Sequence, residues 1–181
     1  MSENTLPRPT IRLCNICKWV TLLGAVLLVI QLVFGEGLNE IVSNHWNMLP
    51  SQIRAATEYS PMKKMLVYSI AALNYVGMFL LAGGIWRIFH TLQKYGPFSP
   101  QASNAMKFMG LSVFVMAAIS IVLPTFMGLA ITLNNPPQMH VFTVQLSAGS
   151  ISMLLVGFVL RILGRAMLQA ANIAEENRQF I

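Results

Sequence analysis

The chain has 181 residues, of which 55% are apolar and 10% charged. Soluble domains carry about 25% charged residues, so a soluble enzyme, a disordered segment and a disulfide-stapled secreted domain all fit poorly. The six acids are all Glu, and twelve Lys and Arg bring the net charge to +6. This is the composition of an integral membrane protein.

Residues 1–18 form a short basic tail containing Pro7 and Pro9. The run from Trp19 to Gly35 has no charge and, at 17 residues, sits near the lower limit for a spanning helix. It also has the basic start and apolar body of a signal peptide, but Val33-Phe34-Gly35 is a poor small-residue cleavage site, so the expectation is a retained span. The loop 36–64 is long enough for one or two short interfacial helices. Leu38, Ile41, Trp46 and Leu49 are expected to rest on the bilayer surface. From Met65 to Trp86 there are 22 residues without charge, and the helix is expected to run on as IWRIFHTLQKY to a glycine cap at Gly96. Ser99-Pro100 then restarts a helix, serine as N-cap and proline at the first helical position.

From Phe108 to Leu160 there are 53 residues without formal charge. As one helix they would run about 80 Å, more than twice a hydrocarbon core of about 30 Å. The stretch must therefore fold back, and Asn134-Asn135-Pro136-Pro137-Gln138 is the place for the turn. Pro124 should bend the third span or cost it a hydrogen bond. The fourth span is expected to continue into a polar tail, with Gly164 its weak point. The expected fold is all-α: an integral membrane four-helix bundle forming a single domain, with spans at about 19–35, 65–89, 108–133 and 141–163. An external loop at 36–64, an internal loop at 90–107 and a tail at 164–181 complete it.

Direction follows from Lys and Arg. Nine of them, Arg8, Arg12, Lys18, Arg87, Lys94, Lys107, Arg161, Arg165 and Arg178, fall to one side. Three, Arg54, Lys63 and Lys64, fall to the other, beside Glu36, Glu40 and Glu58. Both termini are therefore expected in the cytoplasm. Nine spread charges under a membrane imply contact with anionic lipid headgroups rather than direct binding of nucleic acid.

No motif for catalysis appears. No Asp, Glu, Lys or Arg lies in the central part of a span, where proton and ion relays are built. There is no Gly-x-Ser-x-Gly elbow and no phosphate-binding loop. Cys14-Asn15-Ile16-Cys17 is a lone CxxC without the second pair a zinc site needs, so its thiols read first as small apolar fillers, with redox chemistry or a metal site shared across a dimer as the alternatives. His45, His90 and His140 do not form a ligand set. Twelve methionines scatter without a motif and read as gap fillers. The chain is expected to be no enzyme and to need no cofactor. Within the bilayer the candidate interhelical polar residues are Asn74, Ser147 and Ser150, with Asn74 expected to bond a Ser or Thr of span 3 or 4.

Two stretches carry a resemblance. Leu92-Gln93-Lys94-Tyr95-Gly96-Pro97-Phe98-Ser99-Pro100-Gln101-Ala102 and the tail Ala174-Glu175-Glu176-Asn177-Arg178-Gln179-Phe180-Ile181 resemble the bacterial membrane family called domain of unknown function 2975. That family shows four spans, a Pro-Phe-Ser/Thr-Pro-like turn after the second, and a Glu-Glu-Asn tail ending in apolar residues. The tail here departs from its commoner Glu-Asn-Glu-Leu-Thr-Val form. The resemblance implies a bacterial inner-membrane protein partnering a small helix-turn-helix regulator, and it carries over no catalytic residue. The candidate cytoplasmic interaction surface is Pro97, Phe98, Glu175, Glu176 and Asn177. The expected function is a regulatory or sensory membrane protein; the alternative is a subunit of a small transporter or channel that works as a homo-oligomer.

Overall fold

The computed structural model describes residues 7–34, 36–58, 60–97, 99–142 and 144–179. Six α-helices follow in chain order: α1 (Arg8–Phe34), α2 (Glu36–Met48), α3 (Ser51–Ala56), α4 (Pro61–Tyr95), α5 (Pro100–Thr132) and α6 (Ala148–Gln179). One 3-10 turn, Pro137–Met139, precedes α6, and no strand occurs among the described residues. Four helices, α1, α4, α5 and α6, are long and apolar enough to cross a bilayer. The 35 residues of α4 run about 52 Å, so it projects beyond a hydrocarbon layer of about 30 Å. Leu23, Phe126, Leu155 and Phe158 are each more than half exposed. Apolar surface of this extent, spread over four long helices, belongs in lipid, and the chain is a multi-pass membrane protein.

The helix ends follow from local chemistry. Ser60 and Ser99 cap α4 and α5, their hydroxyls accepting from Lys63 N at 3.3 Å and Ala102 N at 3.1 Å. Proline follows each of them, where its missing N–H costs nothing. α4 stops at Gly96, whose φ of 80° a side chain would resist, and whose N–H donates to the Leu92 carbonyl. The Ser99 hydroxyl donates back to the Gly96 carbonyl at 2.9 Å, closing the turn that the sequence predicts.

The long helices pack in chain order, α1 on α4, α4 on α5 and α5 on α6. No interface of comparable size joins α1 to α6, so the bundle is an open row rather than a closed ring. The tightest contact is α5 against α6. A Cβ added to Gly110 would lie 2.8 Å from the Gly157 carbonyl oxygen and 3.0 Å from the Arg161 amide; one added to Gly157 would lie 3.0 Å from the Gly110 oxygen. Seven residues along each helix, the Ser103 hydroxyl donates to the Gly164 carbonyl at 2.6 Å. Seven residues the other way, the same register sets Ala117 opposite Ser150. Among its described side chains, the buried residues of α6 are Ser150, Gly157, Gly164 and Ala171, again every seventh. A seven-residue period keeps one stripe turned toward the partner helix through a left-handed supercoil. Small side chains let the two backbones touch. Gly164, expected as a weak point, is thus a contact point, and the tail of α6 lies on the start of α5 rather than on the end of α4.

This packing sets the cost of adding one methyl group. Gly157→Ala should destabilise the protein by about 1–3 kcal/mol, because backbone rather than a flexible side chain blocks the space. Gly83→Ala, with nothing within 4 Å of its added carbon, should be neutral or gain up to about 1 kcal/mol in helix propensity. Unfolding midpoints in detergent measure both, and equal effects would contradict the seam.

Candidate functional site

At the end of the molecule carrying α2 and α3, the first loop forms a cap. Apolar residues recur along α2 at helical spacing. They do not lie on a bilayer surface as the sequence suggests. Val42 and Leu49 are buried with Val67, Ala71, Leu123, Met127, Ala130 and Ile131, and Leu38, Ile41 and Trp46 pack against this cluster. The first turns of α4 and the last turns of α5 offer α2 a protein surface on which to bury its apolar face. The Tyr68 hydroxyl donates to Asn39 Oδ1, and Tyr75 sits against Gly37 where no side chain fits. The cap is also tied to the turn before α6, because Asn135 Nδ2 donates to the Thr57 hydroxyl at 2.8 Å.

The helix of the fourth span begins at Ala148, not Val141. The Val141 amide donates to the Thr132 hydroxyl at 3.3 Å, which holds the chain against the end of α5. Ser147 then acts as N-cap, accepting from Ser150 N at 3.0 Å on its hydroxyl and from Ile151 N at 3.1 Å on its carbonyl. By the α5–α6 register Ala148 stands level with Ile119. Gly77 meets Met116 and Gly84 meets Met109 across the α4–α5 interface, which puts Ile119 level with Asn74. α6 therefore starts near the middle of α4's uncharged run, and on that side the last turns of α5 have no α6 beside them.

The space left over is a cavity of about 300 Å³, lined by His45, Met48, Leu49, Pro50, Pro124, Gly128, Ile131, Val141 and Gln145. His45 Nδ1 bonds the Ile41 carbonyl at 2.8 Å. A carbonyl only accepts, so Nδ1 carries a hydrogen, and a ring with one hydrogen presents its lone pair at Nε2. That Nε2 is buried without a partner. Gln145 Nε2 lies 3.6 Å from Met48 Sδ. Otherwise apolar walls with one strong acceptor and one amide suit a small, mainly apolar molecule bearing a single hydrogen-bond donor.

The opposite end holds a polar clamp. Gln93 donates to Asn15 Oδ1 at 2.8 Å and to the Ile11 carbonyl at 3.3 Å, and accepts from Lys18 Nζ at 3.0 Å. Lys18 also lies over the Trp86 ring, 5.1 Å from its centre. These bonds hold the start of α1 against the end of α4. Cys14, buried, and Cys17, half-buried, are both free thiols beside this clamp. Along α6, Arg161, Arg165, Gln169, Asn172 and Glu176 are all exposed and form one polar face of the tail. Ile162, Ala166, Ala170 and Ile173 are exposed as well, since the side turned to α5 is Gly164 and Ala171. Pro97 is half-buried in the Gly96 turn; Phe98 and the side chains of Glu175 and Asn177 lie outside the described residues.

The interhelical bonds expected of Asn74, Ser147 and Ser150 are not present among the described residues. The two serines bond each other at 2.9 Å within the α6 cap. Asn74 is half-buried and level with Ile119 and Ser120, but the Ser120 hydroxyl turns back to the Met116 carbonyl at 2.9 Å. The interhelical hydroxyl bond belongs instead to Ser103, outside the apolar run and so passed over. Gln93 could have been found as the polar residue one heptad beyond Trp86 on the same helix face. His45 shows no sequence signal, because its role depends on α6 starting late. No group of three or more His, Cys, Asp or Glu able to hold a metal occurs among the described residues. Comparison of the chain with family models, with curated proteins and with solved structures finds no match.

These bonds rank three substitutions. Ser103→Ala should lower stability in detergent by about 0.6–2 kcal/mol by removing an interhelical bond. Ser147→Ala should cost about 1 kcal/mol through the lost cap. Asn74→Leu should cost nothing, since no bond is lost and an amide is replaced by an apolar group. A loss above about 1 kcal/mol for Asn74→Leu would place an interhelical bond there after all.

Proposed function

We propose that this protein is a non-enzymatic membrane receptor that takes a small ligand in the cavity beside His45 and works through the exposed end of α6. The observation that carries this reading is the cavity itself. It is roofed by the cap, floored by Pro124, Gly128 and Ile131 of α5, and holds a buried imidazole nitrogen with nothing to bond. α5 carries the cavity at one end and the seam with α6 at the other. A shift of α5 on ligand binding therefore displaces the polar face Arg161–Glu176. The partner proposed for that face is a small cytoplasmic DNA-binding regulator, with Pro97, Phe98, Glu175, Glu176 and Asn177 at the contact. This partner, and a bacterial inner membrane, rest on the resemblance to domain of unknown function 2975. Cytoplasmic termini, with anionic headgroups against that face, rest on the nine-to-three distribution of Lys and Arg.

The late start of α6 favours a second reading. A helix that begins at mid-span beside a proline-interrupted neighbour is the arrangement around which transporters build solute sites. One open row of four helices encloses no path, so a transporter or channel would need several copies.

Two experiments separate these readings. In a chain carrying Cys14→Ser and Cys17→Ser, Ser43→Cys should react with an impermeant thiol reagent in intact cells, and Asn172→Cys only after permeabilisation. Reaction of Asn172→Cys in intact cells would overturn the orientation. A photoreactive residue at 176 should crosslink in cells to a soluble DNA-binding protein, and deletion of 175–181 should abolish signalling while the chain stays in the membrane. Adducts to lipid alone refute the regulator; adducts to a second copy move the balance to the oligomeric reading.

A further inference from the structure

Three buried side-chain nitrogens have no partner among the described residues: His45 Nε2, Arg54 Nε and Lys63 Nζ. The lysine is the most demanding. It is 5% exposed, and an ammonium removed from water without a counter-charge is strongly unfavourable. It stands in the first turn of α4, where the aligned amides of 35 residues add positive potential of the same sign. Such a site is electrostatically incomplete until an anion occupies it.

Lys63 lines a cavity of about 80 Å³ with Ser60, Met62, Leu66, Ala130, Leu133 and Asn134. This is space for one tetrahedral anion. No acid lines it; Glu58, the nearest along the chain, is exposed. The Ser60 oxygen accepts from the Lys63 amide, so its hydroxyl hydrogen is free to donate. Asn134 adds an amide donor, and the four-carbon stem of Lys63 lets its ammonium swing into the space. The depth is informative too. Lys63 lies two residues before the uncharged run Met65–Trp86, at the level of lipid phosphates. Met62, Leu66 and Leu133 are exposed beside the cavity at 83%, 40% and 61%, where acyl chains would run.

We propose that this is a phosphate site, with Lys63 as the charge partner and Ser60 and Asn134 as donors. The phosphate is that of a lipid headgroup or a free phosphate ion. The site is separate from the His45 cavity and independent of the receptor reading.

The test uses the full-length protein in an uncharged detergent, stripped of lipid. Its unfolding midpoint is followed while inorganic phosphate, or dihexanoyl phosphatidylglycerol, is titrated in. A saturable rise with at least one probe is expected. Lys63→Met should raise the half-saturating concentration at least tenfold, and Lys64→Met less than about threefold. Without ligand, Lys63→Met should unfold at a higher temperature than wild type, because an unpaired charge has been removed. A rise with the lipid alone identifies a headgroup site; a rise with inorganic phosphate alone identifies a free-ion site; both uphold the proposal. No saturable rise with either probe, or an undiminished response in Lys63→Met, overturns it. Asn134→Leu, at an exposed turn, gives the same comparison if Lys63→Met does not fold.

Discussion

Direct contact between the backbones of α5 and α6 at Gly110 and Gly157 is the constraint from which the rest of the architecture follows. In lipid, apolar side chains gain little by leaving a solvent as apolar as themselves, so helices associate through close packing and hydrogen bonds. The Ser103–Gly164 bond and the small residues at every seventh position of α6 supply both. The register they impose is rigid, since sliding by one turn would bring Arg161 or Lys107 where glycine now faces glycine. With that register fixed, the start of α6 is fixed opposite the middle of α5. Everything at the loop end is built around the gap this leaves.

The α4–α5 interface solves a similar problem differently. Gly77 and Gly84 face Met116 and Met109, whose sulfurs fill the space the glycines leave. Methionine conforms to such gaps because its stem is unbranched and its sulfur polarisable. This gives a physical reason for part of the methionine content without a metal. The interface also carries the cap, whose apolar face continues the same buried cluster through Val67, Ala71, Met127 and Ile131. The buried apolar cluster thus sits toward one end, while α1 and α6 flank the row with most of their apolar surface outward.

Composition and charge spacing were enough to read four apolar helices. Ser-Pro and Gly-Pro pairs marked the start of α5 and the end of α4, because capping is local chemistry. The start of α6 was not legible. Val141–Ser147 is as apolar as a helix requires, and only the pull of Thr132 on Val141 and the cap at Ser147 stop it from joining one. The interhelical role of Ser103 was hidden for the opposite reason. It lies close to Lys107, where charge suggested an interface with water, yet α6 extends far enough to bury it completely. Asn74 drew attention because an amide in lipid needs a partner; its surroundings at Ile119 and Ser120 supply none. The His45 cavity involves three separate segments of chain, and no local pattern encodes such a convergence.

The segment between Val141 and Ser147 ties that cavity to the fold. Non-helical backbone at bilayer depth persists only against protein or water, because each unpaired N–H or C=O in hydrocarbon is costly. Phe142, Val144 and Leu146 are exposed at 71%, 56% and 66%, and Gln145, although it lines the cavity, is exposed as well. The ends of the segment are met by protein, the Val141 amide by the Thr132 hydroxyl and the Ser147 carbonyl by the Ile151 amide. Between them the cavity beside His45 and Gln145 offers the protein-side space from which backbone can be solvated. A ligand that fills the apolar space must keep or replace that solvation, which favours one whose polar group lies at its edge, as the single donor facing His45 requires.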